Sequence, residues 1–221
     1  MIQKPNSDQA DSGSLAGAMK HFIDGIIADM ADMLPARVVS YDSASNRAVV
    51  QPLVMLVGTD GQTVPRASVA NIPVFRFGGG GFFISMPVKA GDIGWIKACD
   101  RDISLIFQRG GMQDKPNTKR KHSFSDAMFF PDAIKGWSIK HDGALVIQSL
   151  SGGSCIAVYQ DKVVIESGSF ECDANATFKK TVLFEQPVEL KSGISQNGKS
   201  IGTDHVHSGV EKGGSNTGGV A

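Results

Sequence analysis

The chain has 221 residues, and its 22 Lys and Arg balance 22 Asp and Glu to a formal net charge of zero at pH 7. Neutrality argues against a dedicated nucleic-acid binder, which carries a basic excess to neutralise phosphates. The 26 glycines and only 7% aromatic residues point to many turns and close backbone approaches, in one large domain or two small ones.

Residues 1–13 are polar and read as a disordered tail, without the character of a signal peptide. Residues 14–35 read as an amphipathic helix. Leu15, Met19, Phe22, Ile26, Met30 and Met33 recur at spacings of four and three, Ser12 or Ser14 can cap the start, and Pro35 is expected to stop it. Lys20, Asp24, Asp29 and Asp32 interrupt the segment too often for a membrane span. The apolar stripe suits packing on its own domain, or on another subunit or a neighbouring protein.

From residue 36 to 110 the period changes to two. The runs ARVVSYD, RAVVQPLVMLV, NIPVFRF, FFISMPV, DIGWIKAC and DISLIFQ are expected strands separated by turn signals. So many short strands without intervening helices predict a small closed barrel of the OB type. Exposed aromatic and basic residues are too sparse for the nucleic-acid face that such barrels often carry. The four glycines at 78–81 lie between strands, so they read as a hairpin loop and not as a phosphate loop. Residues 111–135 are an expected connector. Its run Lys119, Arg120, Lys121, His122 reads as a solvated stretch, with a partner contact as the alternative.

Residues 136–200 repeat short β runs punctuated by Gly, Asp, Ser or Pro, with alternation at Val163 and Ile165, at Val182 and Phe184, and at Val188 and Leu190. Each run offers one apolar strip, too little to close a core within one chain. Three copies around an axis would cover the strips and remove exposed strand edges, which predicts an intertwined trimeric β-prism. The fold class expected overall is therefore mainly β: a helix, an OB-fold barrel, then a trimeric β-helix or β-prism.

The end of the chain carries two motifs. Gly193, Gly198, Lys199 and Ser200 match G-x-x-x-x-G-K-[ST]. However, no helical period follows Ser200, and the segment before Gly193 is an amphipathic strand, so the match reads as accidental. Within the expected apex, 201–221, His205 and His207 stand one residue apart and face the same side if the chain is extended. Alone such a pair is a weak metal signal, and surface residence or a structural role is the alternative; near the end of a threefold prism, three copies would bring six imidazoles to one axis, an octahedral nitrogen cage. The three cysteines, Cys99, Cys155 and Cys172, are widely spaced and read as reduced structural thiols of a protein made in the cytoplasm.

The segment NGKSIGTDHVHSGVEKGGSNTGG, residues 197–219, closely resembles the C-terminal apex of the central spike proteins of contractile-tailed bacteriophages, of the Mu and phi92 type. RKHSFSDAMFFPDAI, residues 120–134, is similar to the stretch of that family between barrel and β-helix. The resemblance implies a homotrimer at the tip of the tail baseplate of the virion. It implies contacts with hub or tail-tube proteins, and transient passage through the host outer membrane when the sheath contracts. It also implies one iron ion per trimer, bound by His205 and His207 of three chains, a geometry that suits neither four-coordinate zinc nor oxygen-preferring magnesium and calcium. The leading helix matches no motif of the family.

The expected function is thus mechanical and non-enzymatic, with no small-molecule substrate, no nucleic acid and no catalytic residues. Two rivals are a β-helical phage enzyme acting on cell-surface polysaccharide and an OB-fold binding module with a structural tail. The first needs convergent carboxylates in a cleft, whereas Asp132, Asp142 and Asp161 sit where turns are expected. The second would show salt-dependent oligonucleotide binding.

Overall fold

The computed structural model describes residues 13–58, 60–134 and 136–201. They form two units, one ending at Gly168 and one beginning at Ser169.

The first unit opens with α1, Leu15–Asp29. Ser14 caps it: the side-chain oxygen accepts a hydrogen bond from the Gly17 amide at 3.0 Å, satisfying one of the donors a helix start leaves unpaired. The helix ends earlier than its apolar spacing suggests. Met30 is already extended, Met33 opens the first strand, and Pro35 lies inside that strand instead of stopping the helix. Among the described residues no helix is long and apolar enough to cross a membrane.

The strands follow as β1 (Met33–Asp42), β2 (Arg47–Pro52), β3 (Leu56–Val57), β4 (Thr63–Val64), β5 (Val69–Pro73), β6 (Phe77–Gly79), β7 (Phe82–Ile84) and β8 (Ile93–Cys99). A short helix α2 (Ser104–Gln108) and strand β9 (Ser123–Pro131) complete the set. One antiparallel sheet runs in the order β5-β2-β1-β8-β9. A parallel bridge between Val74 and Phe129, with the Phe75 amide donating to the Phe129 carbonyl at 2.8 Å, brings the two edges together. The result is a near-closed, barrel-like sheet.

Alternation explains its core. In β2 every second residue, Ala48, Val50 and Pro52, points inward. Ala48 and Val50, with Ala36, Val38, Ile72, Val74, Val88, Ile96, Ala127 and Phe129, form one buried cluster. Gly94 is what lets β9 come close. A Cβ there would collide with the Phe130 carbonyl oxygen and the Phe129 ring.

Three expectations for this region differ from the fold. DISLIFQ is not a strand but α2, because the Asp102 carboxylate accepts from the Ser104 amide at 2.9 Å and turns the chain into a helix. The stretch expected as a connector contains β9, which closes the barrel. The predicted long strand RAVVQPLVMLV breaks after Pro52, and its end joins the β3–β4 hairpin. The four glycines do lie in a hairpin: Gly78 and Gly79 end β6, and Gly80 and Gly81 turn the chain into β7.

After the barrel come β10 (Leu145–Gln148), β11 (Cys155–Val158) and β12 (Val163–Glu166), an antiparallel three-stranded sheet. In the second unit the only paired strands among the described residues are β13 (Ser195–Gln196) and β14 (Lys199–Ser200). Residues 169–194 contain neither helix nor strand, although the alternation at Val182 and Phe184 and at Val188 and Leu190 predicts strands there.

Candidate functional site

The β10–β12 sheet has two unequal faces. Its register sets Leu145 opposite Val158, Ile147 opposite Ile156, Ile156 opposite Ile165 and Val158 opposite Val163. Residues opposite one another share a face, so Leu145, Ile147, Ile156, Val158, Val163 and Ile165 form one continuous apolar surface. All six are 40–71% exposed. Water covers a face whose composition belongs in a core, and monomeric soluble proteins seldom leave such a patch bare.

The reverse face is finished by the chain itself. Cys155 and Ala157 are buried there. The Gln148 amide donates to the Ser138 carbonyl at 2.6 Å and its oxygen accepts from the Lys140 amide at 3.0 Å, which ties the preceding segment to the sheet. Glu166, on the same face, pairs with the Lys140 ammonium and lies 3.2 Å from His141 Nε2, while His141 Nδ1 lies 3.0 Å from the Tyr159 hydroxyl. Lys140 first, then His141, holds the Glu166 carboxyl below its ordinary range, and Glu166 in turn raises Lys140. Every polar group named is thus engaged on one side, and the other side is bare hydrocarbon.

The second unit repeats the imbalance. Phe178, Val182, Leu183, Phe184, Val188 and Leu190 are all exposed in a segment without strand pairing. The phosphate-loop string is placed as well. Gly198, Lys199 and Ser200 belong to the β13–β14 hairpin, with Asn197 and Gly198 at φ of 49° and 75° as its two turn residues. Asn-Gly is the preferred pair for such a turn, and a strand stands where a phosphate loop needs a helix start. His205 and His207 lie outside the described residues. Among those described, no group of three or more His, Cys, Asp or Glu is placed to share a metal ion.

One constellation escaped the sequence reading. Arg120, expected as part of a solvated run, reaches two buried carboxylates. Its Nε and Nη2 donate to Asp126 at 2.8 and 3.0 Å, and Nη2 also reaches Asp102 at 3.1 Å. Asp102 further accepts from the Thr118 hydroxyl at 2.7 Å. The Ser104 side chain and amide beside it are the main causes that hold the Asp102 carboxyl far below the usual carboxylate range; Thr118 and Arg120 add to them. The cluster staples α2 and the approach to β9 onto the barrel. A groove beside it is lined by Arg47, Phe107, Arg120 and Asp126. Its cations are already engaged, since Arg47 donates to the Asn71 carbonyl at 2.7 Å and lies over the Phe107 ring. The only hint in the sequence was the Asp-x-Ser at 102–104, a turn-forming pair.

No curated protein matches the chain. Residues 34–132 match the family model described as phage protein Gp138 N-terminal domain, a span nearly coextensive with β1 to β9, and the match indicates a phage protein.

Proposed function

We propose that the chain is the subunit of a homotrimeric central spike that forms the tip of a contractile phage tail baseplate and pierces the host outer membrane by force, without catalysis. The observation that carries this reading is the bare six-residue face of β10–β12, finished on its reverse side by its own chain. Three such faces turned toward a common axis cover one another, and three copies of residues 169–194 supply the strand partners that one copy lacks. In this arrangement the barrel, an OB fold, is the base that meets the hub or tail-tube proteins. The prism is the shaft that resists bending, and its backbone polar groups pair internally, which suits passage through lipid.

At the apex, His205 and His207 of three chains would hold one iron ion, which ties the chain ends where the apolar core runs out. Phage membership of the barrel supports a virion component, and the spike reading places it at the tail tip. Antibody against the barrel should label the baseplate end of intact particles; label confined to the capsid, or none on the virion, overturns the assignment. Elemental analysis of the purified protein should give about one iron per three chains, and the His205→Ala/His207→Ala protein none. Equal metal in both, or no transition metal in the unmodified protein, removes the ion from the proposal.

A further inference from the structure

The helix α1 ends in a fixed tether and presents an apolar seam to water. Immediately after it, the Ala31 amide donates to the His122 carbonyl at 3.0 Å, the Ala98 amide donates to the Asp32 carbonyl at 2.8 Å, and Lys97 pairs with the Asp32 carboxylate at 2.7 Å. The helix is therefore anchored to β8 and the start of β9. Its apolar side chains nevertheless find no cover on the barrel, since Leu15, Met19, Phe22, Ile23 and Ile26 are 49–80% exposed. Fifteen residues in isolation are marginal as a helix in water, so this one needs a partner for its seam.

The pattern says which partner. With Met19 at heptad position a, Leu15 and Phe22 fall at d, Ile26 at the next a, and Ile23 at e. Lys20, His21 and Asp24 fall at b, c and f, the positions that face away from a coiled-coil axis. The seam from Leu15 to Ile26 therefore carries no charge and is complementary to copies of itself. It ends at Asp29, the last helical residue. An a, d and e stripe is also broader than a two-stranded seam needs.

We propose that α1 packs against α1 of two other copies as a short parallel three-helix bundle, a second trimer contact at the opposite end of the sequence from the apex. This rests on the trimer reading, because so short a seam associates only when a shared shaft already holds three copies at high local concentration.

The experiment is disulfide trapping in the full chain. Cys172, the exposed cysteine, is replaced by Ser, and single thiols are added as Met19→Cys at a and Asp24→Cys at f. Under mild oxidant, Met19→Cys should join about two thirds of the chains as covalent pairs, since one disulfide engages two of three subunits at the close approach an a position allows. Asp24→Cys should stay at the level of the Cys172→Ser parent. The native mass of each sample is read in parallel. A trimer whose Met19→Cys chains do not cross-link, or cross-link no better than Asp24→Cys, overturns the helix bundle and leaves the shaft trimer standing. The first of these results is what a seam engaged by another tail protein would give. A monomer overturns both.

Discussion

Ile96 and Phe129 in the barrel are fully buried, whereas Ile147 and Ile156, in strands of the same kind, stand 63% and 42% exposed. The difference does not come from composition, since both regions alternate apolar and polar residues with period two. It comes from closure. In the barrel the edge strands β5 and β9 meet through Val74 and Phe129, so one chain turns every inward side chain toward another. The β10–β12 sheet stops at three strands, which is enough to cover one face with its own flanking segment and leaves the other bare. Strand pattern specifies which residues share a face; whether that face finds its cover within the chain depends on how many strands return to it.

The sharpest way to break this contrast is to charge the bare face. Ile147→Asp with Ile156→Asp changes a cross-strand pair. In a trimer that would bury six carboxylates beside an axis, each at a cost of several kcal/mol. Assembly should be abolished while the barrel keeps its own unfolding transition. Unchanged native mass in the double mutant would mean the face is not an interface.

The converse substitution is Phe129→Ala. Removing a fully buried phenylalanine costs about 3–5 kcal/mol, and here the loss should fall on the barrel transition alone, leaving the oligomer intact in denaturant titrations followed by near-ultraviolet circular dichroism. Loss of assembly together with the barrel would show that the two regions do not fold independently.

A smaller effect probes the barrel by pH. Asp102 has a folded pKa held below its unfolded value of about 3.9, so its contribution is fully present above that pH and is lost as pH falls through and below it. Barrel stability should therefore decline in acid below about pH 4, and Asp102→Asn, less stable at neutral pH, should show a flatter decline. Asp32 and Asp42 are depressed in the same sense, so some slope should persist in the mutant. Identical slopes in mutant and parent would remove Asp102 from the cause.

Much of the barrel was legible in the sequence, for identifiable reasons. β1, β2 and β8 alternate, Ser14 is a good helix cap, and the glycines at 78–81 sit between Phe77 and Phe82, which open β6 and β7. The failures are equally specific. The spacing that ends the helix face at Met33 coincides by chance with the first residue of β1. The apolar triplet Leu105-Ile106-Phe107 is too short for its period to tell helix from strand. β9 was hidden because Asp126, charged and mid-strand, looks like a loop residue until Arg120 is seen to reach it from six positions earlier. Arg120 itself looked solvated for the same reason, as its partners are brought near only by closure of the barrel. At the candidate site, the shared side of Val163 and Ile165 was readable from alternation, but its union with Leu145, Ile147, Ile156 and Val158 depends on register. Val182, Phe184, Val188 and Leu190 alternate as strand residues do, yet a strand is defined by its partner, and the chain offers them none among residues 169–194.

The most direct test is the mass of the intact, unheated protein in solution, by sedimentation equilibrium or native mass spectrometry at micromolar concentration. Cover for the bare face from two further copies requires three chains of 23.4 kDa in one particle. A compact, folded monomer would contradict it, because the six exposed residues of β10–β12 would then be stable in water without a partner.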